Sequence, residues 1–134
     1  MATRNTRASR GYPNLRVAYL SSRTYGGYSR RHPEPESFET AFAVRWVIQD
    51  QIAGKPELNV DSTVGAVNAP LVLWGPYLWA NGTTPRKADM LVWKRADFVS
   101  DGVHPSESGR RKVADMLLEF FKGDSSASSW FTKH

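Results

Sequence analysis

FVSDGVHPSESGRRKVADMLLEFF, residues 98–121, runs from a short polar turn into an amphipathic helix. Ser106 stands where an N-cap belongs, Pro105 presets the backbone before it, and Glu107 suits the positive end of the helix dipole. Val113, Met116, Leu117, Phe120 and Phe121 then recur at helical spacing. Lys122 and Gly123 close the helix, with Gly123 as its C-cap and Ser125 in the tail beyond. Asp101 and His104 are three apart in the turn, a spacing that folds a carboxylate back onto an imidazole. Such a contact fixes the tautomer on one ring nitrogen and leaves the other free as a base. The bland reading is a histidine at a helix start with a solvated acid nearby. Chance produces D-x-x-H-P around a given histidine roughly once in 400.

Working upstream, LVLW at 71–74 is an apolar run bounded by Pro70 and Gly75, and it reads as a strand. A long aromatic loop follows from Pro76 to about Asp89. MLVW at 90–93 fits a third short strand or a packed loop equally well. Before these, Leu15, Val17, Tyr19 and Leu20 make a β-prone run. The Gly-, Pro- and Arg-rich stretch after it must be loop. A helix then starts at about Ser37, its N-cap, with an apolar face of Phe38, Ala41, Phe42, Val44, Ile48 and Ile52. Gly54 and Pro56 stop it. Strand, loop, helix, strand, loop, helix is the rhythm of an α/β domain with a short parallel sheet and a C-terminal helix. Ligands of such sheets sit on loops at the carboxyl ends of the strands.

Composition narrows the field. The chain has 134 residues, enough for one domain, and its 40% hydrophobic content permits a core. Residues 1–13 read as a flexible basic arm, and 14–134 as one α/β domain. Seven arginines and no acid precede residue 32, whereas the remainder sums to −2, so the +5 charge belongs to the N-terminal stretch. Without clustered lysines or stacking aromatics, that stretch argues against nucleic-acid binding. No membrane-length apolar run and no signal peptide are visible, and the compartment stays open. There is no cysteine. His32, His104 and His134 lack ligand spacing, so a zinc centre is not expected.

Arg23, Tyr25 and Gly26 lie in the loop after the first strand, where they either line a substrate cleft or form a Gly-assisted turn with Gly27. Trp74, Tyr77, Trp79 and Trp93 either stack on a sugar or acyl group or pin the long loop to the core. Asn81-Gly82-Thr83 spells a glycosylation sequon, a motif common by chance.

The block at 98–121 resembles the last conserved block of the SGNH (GDSL-like) hydrolases, which are esterases and acyl hydrolases. NLRVAYLSSRTYGG and LVLWGPYLWANGTTPR look, more loosely, like the later half of such a domain, so the resemblance spans roughly residues 14–131. It implies a partial three-layer α/β/α, flavodoxin-like fold, with Asp101 as the orienting acid and His104 as the general base. It implies a small-molecule or carbohydrate ester as substrate and no cofactor. The family's nucleophilic Ser lies in a Gly-Asp-Ser run after the first strand, and residues 1–13 are too short and polar to hold that block. Gly123-Asp124-Ser125 spells the motif but follows a helix. A truncated or inactive form is therefore expected. The alternative is a non-catalytic binding or assembly module on the same half-fold, because a short parallel sheet leaves an exposed edge open to self-association or to a complementary fragment.

Overall fold

A computed structural model describes Tyr12, residues 14–30 and residues 36–133, with backbone alone at 36–38. The basic arm, apart from Tyr12, lies outside the described residues, as do His32 and His134. The described chain is mixed α/β: β1 (Val17–Leu20), α1 (Glu36–Ile52), β2 (Leu71–Trp74), α2 (Glu107–Gly123) and α3 (Ser125–Phe131), with two short 3-10 turns at Pro56–Leu58 and Arg95–Asp97. It divides into two compact units, one of residues 1–20 and 42–74 and one of residues 21–41 and 75–134.

The first unit holds the sheet. β1 and β2 pair in parallel, Val17 against Leu71 through Leu20 against Trp74. No third strand joins them among the described residues. β1 is shorter than the apolar run because the Leu15 N–H turns back to the Tyr12 carbonyl, so extension begins only afterwards. α1 begins at Glu36, which puts Ser37 inside its first turn rather than before it. Its end is a Schellman motif. Gly54 adopts φ +77°, its N–H reaches the Gln51 carbonyl, and the Lys55 N–H reaches that of Asp50. Gln51 also ties helix to strand, donating to the Leu58 and Pro70 carbonyls and accepting from the Val72 N–H at 2.9 Å.

Ala69 and Val72 are the buried apolar residues of this unit among those described. Phe42, Trp46, Val47 and Ile52 on α1 stay exposed, the last at 81%. Of the expected apolar face, Ala41, Val44 and Ile48 are half-buried, Phe42 and Ile52 are exposed, and the Phe38 side chain lies outside what is described.

The second unit is built on loops around Trp93, which is fully buried with Ala80 and Phe98 and flanked by Tyr28, Leu91 and Val113. MLVW is a packed loop and not a strand. Its hydrogen bonds go elsewhere: the Trp93 N–H donates to the Gly82 carbonyl, the Trp93 carbonyl accepts from the Tyr28 hydroxyl, and the indole N–H donates to the Leu78 carbonyl at 3.0 Å.

α2 behaves as its sequence suggests at its start, where Ser106 accepts from the Gly109 N–H. Its end differs. Gly123 is the last helical residue, and Asp124 is both the C-cap of α2 and the N-cap of α3, its carboxylate accepting from the Ser126 N–H at 2.9 Å. Ser125 therefore opens a short helix instead of lying in a tail. An acid that caps the next helix stops α2 without needing glycine. Phe121 packs against Phe131 and Trp130 to hold α3 in place. No described helix is long and apolar enough to cross a membrane.

Candidate active site

The turn that carries Asp101 and His104 is held at its mouth, at its tip and from below. At the mouth, Phe98 and Pro105 form an antiparallel bridge, and the Val99 N–H donates to the His104 carbonyl at 2.9 Å. Phe98 roots this side in the core against Trp93, with ring centroids 5.3 Å apart. At the tip, the Gly102 N–H closes a turn onto the Val99 carbonyl at 3.0 Å. Gly102 has φ +71°, and a Cβ there would lie 2.1 Å from the Tyr28 carbonyl oxygen. Only glycine meets both conditions.

Below the turn sits Asp97, which is 3% exposed. Its carboxylate accepts from the Lys94 N–H, the Ser108 hydroxyl and the Lys112 ammonium. Its carbonyl accepts from the Ser106 N–H at 2.9 Å. Burial alone would raise its pKa, but the Lys112, Lys94 and Ser108 bonds outweigh burial and leave it below the ordinary value. Lys112 also lies over the Trp93 ring at 5.4 Å. Gly109 touches this floor, since a Cβ there would sit 2.0 Å from the Asp97 carbonyl oxygen. The start of α2 is thereby locked to one buried aspartate, through its carboxylate and its backbone carbonyl.

On this base the structure brings the two expected side chains together. Asp101 Oδ2 is 2.6 Å from His104 Nδ1. Asp101 Oδ1 accepts from the Val103 N–H at 2.8 Å and the His104 N–H at 3.0 Å. The His104 ring and these two N–H groups hold the Asp101 carboxyl down at about 2. A carboxylate against Nδ1 favours the tautomer protonated there, which leaves the Nε2 lone pair available as a base. The His104 side chain is 77% exposed, so that nitrogen meets solvent or a ligand. Among the described residues, Asp101 is the one hydrogen-bond partner of the ring. Chemically the pair can accept and return a proton, but it holds no nucleophile. Ser125, the serine of the decoy motif, is the first residue of α3 and exposed.

The remaining expected site residues are not drawn to this turn as a group. Arg23 is exposed. Tyr25 is 4% exposed: its N–H and carbonyl bridge Leu78 and Ala80, and its ring stacks on Trp79 with centroids 6.2 Å apart. Gly26 is buried, and a Cβ there would lie 2.6 Å from the Phe98 ring. Trp74 ends β2 in the sheet unit, 39% exposed. Trp79 and Trp93 pin the long loop, aided by Arg86, which donates to the Tyr77 and Trp79 carbonyls at 2.9 and 2.8 Å and pairs with Asp89.

Asp97, Lys112 and Gly109 escape the sequence reading. A lone acid in KRADF carries no pattern, and the available signal is Gly109 inside the first helical turn, where glycine is unfavourable unless backbone must come close. Among the described residues, no group of three or more His, Asp or Glu side chains is placed to hold a metal ion. Comparison of the chain with known protein families, with curated proteins and with solved structures found no match.

Proposed function

We propose that Asp101 and His104 are the acid and base of an SGNH-type serine ester hydrolase, on a stretch corresponding to the C-terminal part of a three-layer, flavodoxin-like α/β/α domain. The observation that carries this reading is the 2.6 Å carboxylate–imidazole contact on a braced turn, with the His104 side chain 77% exposed. In this reading a serine hydroxyl attacks the ester carbonyl, and His104 Nε2 takes its proton. His104 then returns the proton to the leaving alcohol, while Asp101 stabilises the imidazolium. The serine and the oxyanion donors come from a segment other than the described residues. Without them, Asp101 and His104 support little turnover, because no intermediate is formed or stabilised. The substrate class is a small-molecule or carbohydrate ester.

The test extends the chain through the coding sequence immediately upstream of Met1 and assays nitrophenyl acetate hydrolysis. The expected result is an in-frame strand bearing Gly-Asp-Ser that confers turnover, lost by at least about 10³-fold in His104→Ala. Turnover indifferent to His104→Ala overturns the proposal.

A second reading, an assembly module on the same half-fold, is favoured by the exposed Phe42, Trp46, Val47 and Ile52 of α1 beside a two-stranded sheet. Size-exclusion chromatography of the chain at low concentration tests it. A persistent monomer, with hydrolysis gained on extension, leaves the hydrolase reading alone standing.

A further inference from the structure

Arg95 makes three hydrogen bonds, all to consecutive backbone carbonyls: Phe98 at 3.1 Å, Val99 at 2.9 Å and Ser100 at 2.9 Å. Among the described residues it has no acidic partner, although a surface guanidinium ordinarily finds a carboxylate. These carbonyls immediately precede Asp101. The Val99 oxygen is shared, because it also accepts the Gly102 N–H that closes the turn. The Ser100 oxygen belongs to the peptide plane whose nitrogen is that of Asp101. A guanidinium fixed on that oxygen restricts rotation about the Asp101 backbone. Asp101 must keep that orientation to receive the Val103 and His104 N–H groups on one oxygen and the His104 ring on the other.

We propose that Arg95 is a positioning residue for the Asp101–His104 pair, a three-carbonyl clamp that sets the peptide plane entering Asp101 and thereby the direction of its carboxylate. The clamp deepens the hydrolase reading, yet its effect is legible on the histidine ring without any ester. The planar fork of arginine spans several acceptors at once, which a single ammonium cannot do. Arg95 lies outside the Trp93 core and is itself exposed, so its removal leaves the packing of that core in place. This separates it from Asp97, whose buried carboxylate anchors the start of α2 through Ser108 and Lys112.

The experiment uses the full chain, labelled with ¹⁵N at histidine and studied at about pH 9, where an ordinary histidine is neutral. The ring-nitrogen shifts of His104, identified by their loss in His104→Ala, report which nitrogen carries the proton. In the wild-type chain the Nδ1–H tautomer is expected to dominate. In Arg95→Ala that signature is expected to give way to a mixture of tautomers, with an unchanged far-ultraviolet spectrum and an unchanged Trp93 environment. In Arg95→Lys it is expected to recover only in part. A folded Arg95→Ala with the wild-type His104 signature overturns the clamp. Should Arg95→Ala fail to fold, Arg95→Lys decides alone, and a full wild-type signature there overturns it equally. Failure of the hydrolase reading looks different: an intact tautomer effect with no ester hydrolysis in the extended protein.

Discussion

The sheet unit and the loop unit divide structure and burial unequally. The sheet unit owns both strands and most of α1, yet among the described residues it buries only Ala69 and Val72 as apolar side chains. The loop unit has no strand of its own among the described residues. It buries Tyr25, Leu78, Ala80, Trp93, Phe98 and Ala127, and it encloses Asp97, whose carboxylate accepts from three donors. Regular backbone is thus a poor guide to where stability resides. Strands and helices need something to cover their faces, whereas a loop can be firm when each of its polar groups has a partner. The candidate site lies on the firm side.

The sharpest way to break the comparison is Trp93→Ala. Removing the one large, fully buried side chain among the described residues is expected to cost about 3–5 kcal/mol, read as a lower denaturant midpoint for the loop unit. A loss under about 1 kcal/mol would mean that the loop core is not what holds this unit.

A smaller, local effect is expected from acid. The Asp101 carboxyl titrates at about 2 in the folded chain, below its ordinary value near about 3.9. A depressed folded value means that the turn's stabilisation is fully present above about pH 4 and is lost as pH falls through about 2. Amide exchange at Val103 and His104 measures this. Protection that disappears already at about pH 4 would show that the ring and the two N–H groups do not hold the carboxylate.

The smallest effect is expected from Trp46→Ala on α1. Trp46 is 59% exposed and, among the described residues, stacks on Phe42 alone, so the change should fall within about 0.5 kcal/mol. A cost above about 1 kcal/mol at low protein concentration would show that something covers this face after all.

How much of this was legible in the sequence follows the same division. Leu71–Trp74 was readable as a strand to the residue, because Pro70 and Gly75 bound an apolar run that nothing else interrupts. The N-cap at Ser106 and the Asp101–His104 contact were also readable, since both depend on local spacing. MLVW was not, because four apolar residues look alike in a strand and in a buried loop. Only the distant bonds to Gly82, Tyr28 and Leu78 decide it. The same holds for Tyr25 and Gly26, whose burial against Trp79 and Phe98 depends on partners more than fifty residues away. Ser125 misled because a tail and a short capped helix differ only in what Asp124 does.

Gly109 carries a consequence for how this segment can vary. Its bare Cα rests where any side chain would strike the Asp97 carbonyl oxygen. The stretch from Asp97 to Gly109 therefore acts as a length gauge. An insertion or deletion within it would slide a bulkier residue into that spot and prise the first coil of α2 off its seat. The Asn59–Asn68 loop holds its glycine less tightly, since a Cβ at Gly65 would come no nearer than 3.8 Å to the Asn59 side chain.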